Sequence, residues 1–164
     1  MYEVRERKDL ENVFVLNNSS DNLITDDFLE EENAYEQIGE RLQIQVLELS
    51  YLPENINFYE LTLVENKGRM LFLDENKAPL FFYQGLSDKP TSLSYSSDMT
   101  EYKKIYNSFL DEEIMIYKNE LGAGEVEFSI RLIHEHQYYF LQGNIDGIEF
   151  ARIVEGIKIY AKKN

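Results

Sequence analysis

The two histidines of the chain, His134 and His136, flank Glu135 and are the residues whose spacing most resembles a chemical site. On a β-strand, two imidazoles at two-residue spacing share one face and can begin a transition-metal site. A third ligand would have to be a carboxylate, because the chain has no cysteine and no other histidine. A general acid or base histidine is the second possibility. The simplest interpretation is a hairpin loop over residues 134–137, because strand patterns lie on both sides of it.

Other catalytic motifs are absent from the sequence. It contains no G-x-x-x-x-G-K-[ST] or G-x-G-x-x-G phosphate loop, no G-x-S-x-G elbow and no H-E-x-x-H pair. Glu65 and Lys67 match the E-x-K of metal-dependent nucleases, but no aspartate lies between Phe28 and Leu73 to complete that site. The sequence therefore predicts a protein that is not an enzyme and has no cofactor, with a small enzyme of unrecognised site as an alternative.

The charge of the chain restricts its partners. Sixteen Lys and Arg residues oppose 31 Asp and Glu residues, which gives a net charge of −15. Such a protein repels nucleic acid and anionic lipid, so neither is expected as a partner. The apolar stretch near the N-terminus, Val13–Leu16, is too short for a signal peptide, and no segment has the length of a membrane span. With cysteine absent, a cytoplasmic location is expected.

The acidic residues cluster in residues 21–40, which contain no Lys or Arg. One interpretation is a solvated helix face with acids in its first turn, where the helix dipole favours them. The other is a docking surface for a basic protein, in which a tyrosine supplies an interface anchor. The predicted partner-binding residues are Asp26, Asp27, Glu30, Glu31, Glu32, Tyr35, Glu36 and Glu40.

The patterns in the first half of the chain predict one helix followed by strands. Thr25 is a candidate cap for a helix over residues 25–40, and Pro53 ends a strand predicted over 41–52. Alternation of apolar residues predicts further strands at 57–65, 69–74 and 80–84. A turn is predicted over Asn66–Gly68, with the glycine supplying a positive φ. Because Pro79 begins the last of these strands, an edge position is expected for it, with Phe81, Phe82 and Tyr83 near that edge.

The second half is predicted to contain two helices around a strand pair. Apolar residues at three- and four-residue spacing predict a long helix over 98–121, capped by Asp98 and ended by Gly122. Strands are predicted at 125–133 and 138–143. A last helix is predicted over 146–162, with Asp146 as its N-cap and a hydrophobic staple between Ile145 and Phe150.

These elements predict an α+β domain over residues 25–164, preceded by a weakly patterned segment over 1–24. An antiparallel sheet of five to six strands packs with two to three helices, in the order α-β-β-β-α-β-β-α. This order resembles that of the type III secretion chaperone-like fold, with residues 125–164 as the most similar part. The resemblance implies a small acidic cytoplasmic dimer that holds an extended segment of a client protein. It carries no motif and assigns no functional residue.

Two functions follow as hypotheses. The first is an immunity protein that neutralises a basic toxin domain, because an acidic surface attracts such a partner and can block its active site. The second is a secretion-chaperone-like or adaptor homodimer that binds a secreted client through an exposed apolar patch. A monomer fits the first function, and a homodimer fits the second.

Overall fold

The computed structural model describes residues 23–24, 29–86 and 99–162. Two helices are present in these ranges, α1 (Glu31–Leu42) and α2 (Gly147–Glu155). The strands are β1 (Leu23–Ile24), β2 (Leu47–Leu49), β3 (Asn57–Val64), β4 (Lys67–Leu73), β5 (Pro79–Gly85), β6 (Met99–Asn107), β7 (Glu112–Gly122), β8 (Glu125–His134), β9 (Gln137–Gly143) and β10 (Ile157–Ile159).

Within the described residues, eight strands form one sheet in the order β1-β3-β4-β5-β9-β8-β7-β6, and every recorded pair is antiparallel. Seven of these strands form two meanders, β3-β4-β5 and β6-β7-β8-β9, that join where β5 pairs with β9, and β1 pairs with β3 at one edge. Strands β2 and β10 form a separate two-stranded antiparallel sheet. The predicted α+β class and antiparallel sheet are confirmed, but the sheet has more strands than the predicted five to six.

The core lies between one face of the large sheet and the layer formed by the helices and the small sheet. Alternate residues of the central strands point into it, including Met70, Phe72 and Leu80, all fully buried. Ile38 from α1 and Phe150 from α2 are equally buried from the other side. Each such side chain contributes about 1.5–3 kcal/mol by leaving water, so this interface accounts for much of the stability of the fold.

Two buried polar side chains attach the outer layer to the sheet. The side chain of Gln84 on β5 bonds both backbone groups of Leu47 on β2, accepting from its N–H at 2.9 Å and donating to its carbonyl at 2.7 Å. Asn107 at the end of β6 donates to the carbonyls of Val154 and Ile157, both at 2.8 Å. Neither side chain is exposed to solvent. Their hydrogen bonds therefore fix the position of the small sheet and of the β6–β7 turn.

The helix predicted over 98–121 is wrong, because residues 99–122 form the hairpin of β6 and β7. Asp98, the predicted cap, lies outside the described residues. The residues that suggested a helical face include Tyr106, Phe109 and Leu121, which are among the most exposed apolar side chains of the described chain. The buried positions instead alternate, as in Ile114 and Ile116. Gly122 lies in the β7–β8 turn at φ 92 and does not end a helix.

The other helices and the strand after α1 have different bounds from those predicted. Helix α1 begins at Glu31 and ends at Leu42, so the predicted strand over 41–52 is reduced to the three residues of β2. Thr25 lies outside the described residues. The last helix ends at Glu155, and the chain then forms β10 rather than continuing to residue 162. Asp146 is confirmed as its N-cap, since its carboxylate accepts from the N–H of Glu149 at 3.1 Å.

The expected edge position of the strand at 80–84 is also wrong. Strand β5 lies inside the sheet, between β4 and β9, and Phe82 is fully buried. Pro79 is its first residue, where a missing N–H costs the ladder least.

The turn before β4 lies at Glu65 and Asn66, with Glu65 at φ 53, rather than at Asn66–Gly68. Gly68 is a buried strand residue, and a Cβ there would lie 2.8 Å from Cγ1 of Ile38. The glycine therefore serves the close approach of α1 to the sheet and not a turn.

Candidate partner-binding surface

The predicted acidic residues begin α1 and continue along it. Glu30 precedes the helix, while Glu31 and Glu32 form its first turn. Glu36 is half-buried and Glu40 is exposed further along the same helix. Asp26 and Asp27 lie outside the described residues.

Tyr35, the predicted interface anchor, is a core residue with 2% of its surface exposed. Its hydroxyl donates to the carboxylate of Glu31 at 2.9 Å and accepts from the N–H of Leu49 at 3.0 Å. Burial raises the pKa of this hydroxyl well above its usual value, and the Glu31 charge raises it further. Tyr35 therefore holds Glu31 in place and joins α1 to the small sheet, and it presents little surface to a partner.

The structure adds a third carboxylate to the beginning of α1. Glu31, Glu32 and Glu48 line a cleft of about 300 Å³ between the helix and the small sheet. Glu48 belongs to β2, directly opposite Lys158 of β10, and Lys158 lines the same cleft. Among the described residues that line the cleft, three acids and one basic residue give an excess of negative charge, which favours a cationic ligand group.

Aromatic rings form one wall of this cleft. Tyr160 follows β10, and its ring centroid lies 5.3 Å from that of Tyr35 at an interplanar angle of 31°. The Tyr160 hydroxyl donates to the carboxylate of Glu36 at 3.2 Å. Burial, followed by this hydrogen bond and the neighbouring carboxylates, raises the pKa of Tyr160 to about 12. The hydroxyl thus stays protonated at neutral pH and fixes Glu36 beside the cleft.

An exposed aromatic residue lies at the rim. Phe109, in the β6–β7 turn, is 57% exposed, and its ring centroid is 5.6 Å from the ammonium nitrogen of Lys158. The side chain of Asn107 anchors the backbone of this turn, since it accepts from the N–H of Leu110 at 2.9 Å. The cleft and Phe109 therefore form one continuous surface through Lys158. This set, Glu31, Glu32, Glu48, Tyr160, Lys158 and Phe109, is called the acidic cleft surface below.

The surroundings of Glu31 disfavour the charged form of its carboxyl, and this effect can be measured. Burial raises its pKa most; the hydrogen bond from Tyr35 partly opposes this, and the nearby charge of Glu48 adds a smaller increase. A raised carboxyl pKa favours the protonated form in the folded state, so this stabilisation is present at low pH and is lost as pH rises through the folded pKa.

We therefore expect Glu31→Gln to unfold at a higher urea concentration than the parent chain at pH 7, with a gain below ~1 kcal/mol because the carboxyl is partly solvated. The gain should shrink as the pH falls through the raised pKa of Glu31 and should be small at pH 4, below the usual carboxyl value of 4.5. Urea unfolding at both pH values measures it, with Glu120→Gln on the exposed end of β7 as the matched loss of one carboxylate. An equal gain at both pH values would contradict the assignment.

The histidine stretch is a hairpin turn, as predicted. Glu135 and His136 occupy left-handed positions, at φ 54 and 68, in the two-residue turn between β8 and β9. Nδ1 of His134 lies 2.8 Å from the carboxylate of Glu112 on the neighbouring strand β7. His136 is exposed in the turn. In the described part of the chain, no group of three or more His, Asp or Glu side chains has the arrangement of a metal site.

Sequence reasoning missed Glu48, Lys158, Tyr160 and Phe109. The last three lie in segments predicted as helix, and Glu48 belongs to a strand that was predicted without a role. The alternation Ile157, Lys158, Ile159 after Gly156 is the signal that could have indicated β10.

Neither helix of the described ranges is long and apolar enough to cross a membrane. No protein family, no curated protein and no solved structure matches this chain significantly.

Proposed function

We propose that the chain is a non-enzymatic protein-binding module, an immunity protein that binds and neutralises a basic toxin domain in the cytoplasm. The observation that carries the proposal is the acidic cleft, in which Glu31, Glu32 and Glu48 converge on a concave site. The cleft lies on a chain of net charge −15, and such a field accelerates association with a basic partner.

The residue types in and beside the cleft also support the proposal. Polar and charged side chains line the cleft together with Tyr35 and Tyr160, and the exposed ring of Phe109 lies beside Lys158. Binding hot spots are enriched in aromatic residues surrounded by polar contacts that exclude water. A one-to-one complex with a monomer fits this arrangement.

The chaperone or adaptor homodimer stays an alternative without a specific observation in its favour. Its candidate client site was the apolar run Phe81–Tyr83 near a sheet edge. That run lies inside the sheet, and Phe82 is fully buried. The resemblance to the type III secretion chaperone-like fold depended on a helix predicted over 98–121, whereas residues 99–121 form a hairpin. The resemblance itself stays a prediction.

The proposal is tested by capture followed by a growth assay. The tagged chain is used to capture proteins from the native lysate at low salt, and the retained protein is identified by mass and produced alone. We expect a basic protein that arrests growth and binds one to one, and we expect co-production of the chain to restore growth.

The surface is tested with the variant Glu32→Lys/Glu48→Lys. We expect its affinity for the captured protein to fall by about tenfold to a hundredfold, with loss of protection. The control, Glu120→Lys/Glu125→Lys, makes the same charge change in exposed residues beside the β7–β8 turn. Glu120 lies about 26 Å along β7 from Glu112, at the end remote from Phe109. A captured protein that leaves growth unaffected would overturn the proposed function, and equal weakening by both variants would exclude the cleft as the site.

A further inference from the structure

The acidic cleft surface already places one cation of the chain against an aromatic ring. The Lys158 ammonium nitrogen lies 5.6 Å from the Phe109 ring centroid, within the range at which a cation is attracted by the electrons of a ring. The same lysine lines the cleft that Glu31, Glu32 and Glu48 make acidic. Lys158 therefore shows that the space between the cleft and Phe109 accommodates a long cationic side chain.

The Phe109 ring is available to a further group. More than half of its surface is exposed, although the turn that carries it is anchored by the buried Asn107. Because the backbone of the turn is already anchored, covering the ring does not require the turn to be ordered, and aromatic side chains serve as anchors in interfaces.

We infer that Phe109 and the cleft receive an arginine or lysine side chain of the partner, and that Lys158 is an internal competitor that this side chain displaces. The inference rests on the proposed function and specifies its partner chemistry. An arginine fits best, because its planar guanidinium stacks on aromatic faces and bonds carboxylates in pairs. The Phe109 ring supplies the stacking surface, and the three glutamates supply the carboxylates.

The inference predicts that two substitutions change the affinity for a cation in opposite directions. Phe109→Leu keeps apolar area but removes the aromatic face, so binding of a cation should weaken by about threefold to tenfold. Lys158→Met keeps the length of the side chain but removes its charge, so the same binding should strengthen by about threefold or more. A purely structural role of Lys158 in β10 would produce no strengthening.

The experiment uses N-acetyl-arginine amide as the probe and titrates the full chain at physiological salt. Binding is followed by the NMR shifts of the Phe109 and Tyr160 rings. N-acetyl-citrulline amide, which has nearly the same shape without the charge, is the ligand control. Lys103→Met removes one exposed lysine from β6 and is the protein control. Its effect should be smaller, because Lys103 lies about 13 Å along β6 from Asn107 at the turn that carries Phe109, and salt screens charges beyond about 8 Å.

Saturable ring shifts with the arginine probe only would support the inference, provided that the affinity measured at the Tyr160 ring is lower in Phe109→Leu and higher in Lys158→Met. Equal shifts with citrulline amide, or unchanged or weaker binding in Lys158→Met, would overturn it. The growth assay above is independent of this titration. If the chain neutralises a toxin but does not bind the arginine probe, the inference is wrong and the proposed function still holds.

Discussion

Asn107→Ala is expected to lower the free energy of unfolding by about 3–5 kcal/mol, one of the two largest effects of a single substitution predicted for this chain. The side chain has no exposed surface and makes three hydrogen bonds. It donates to the carbonyls of Val154 and Ile157 and accepts from the N–H of Leu110. Truncation removes this partner from all three backbone groups, of which the carbonyl of Val154 also accepts from the N–H of Gly156. A buried group that is left unsatisfied costs about 1–3 kcal/mol.

Asn107→Asp keeps nearly the same side-chain volume but changes the hydrogen bonds, so it tests their contribution separately. The new carboxyl can still accept from Leu110, but a carboxylate oxygen would then face two carbonyl oxygens. Burial and this repulsion raise the pKa of such a group, so it folds most readily when protonated. Its stability should therefore be lost as pH rises through the folded pKa, and the variant should lie closer to the parent chain at pH 4 than at pH 7.

Urea unfolding at the two pH values measures both substitutions. Asn66→Ala and Asn66→Asp in the exposed β3–β4 turn are the matched controls and should change stability by less than about 0.5 kcal/mol. An Asn107→Ala variant within about 1 kcal/mol of the parent chain would show that water replaces the lost bonds and that the turn is not anchored as described.

Asn107 also explains why the sequence misled the prediction of this region. The alternation of a strand has a polar residue at one of its most buried positions, so the period of two is interrupted between Ile105 and Ile114. The aromatic residues Tyr102, Tyr106 and Phe109 meanwhile recur at helical spacing. Local pattern then favours a helix, and the long-range bonds of Asn107 to α2 and β10 cannot be read from neighbouring residues.

Strands whose partners are adjacent in sequence were predicted well. Those at 57–65, 69–74, 125–133 and 138–143 agree closely with β3, β4, β8 and β9, because each buries alternate apolar residues and each pair closes through a short turn. The position of β5 could not be predicted, because its second partner is β9, which belongs to the other meander.

The candidate site also has one part that was predicted from local sequence and one part that was not. The acidic first turn of α1 was predicted from charge clustering alone. Glu48 joins it only because β2 pairs with β10, which also brings Lys158 and Tyr160 to the cleft. Such a pairing between distant segments leaves no local signature, so one sequence indicates the acids and does not indicate the cleft that they form.

Gln84→Leu is the second substitution with a large expected effect, about 2–4 kcal/mol of lost stability. The side chain of Gln84 takes the place of a neighbouring strand for Leu47, bonding its N–H at 2.9 Å and its carbonyl at 2.7 Å from a site without solvent exposure. Leucine preserves most of the volume but neither bond, so two buried backbone groups lose their partner. Gln142→Leu, in a half-buried residue of the adjacent strand β9, is the control and should change stability by less than about 1 kcal/mol.

The same substitution is expected to weaken the acidic cleft, although Gln84 does not line it. Leu47 adjoins Glu48 on β2, so releasing the Gln84 bonds frees the strand that positions one carboxylate of the cleft. Under conditions in which the variant is fully folded, the ring shifts of Tyr160 with N-acetyl-arginine amide should saturate at a concentration about threefold or more above that of the parent chain. Lost stability with unchanged probe affinity would mean that the β2–β10 pair alone holds Glu48. Loss of both would show that the buried amide of Gln84 connects the sheet to the surface on which the partner is proposed to bind.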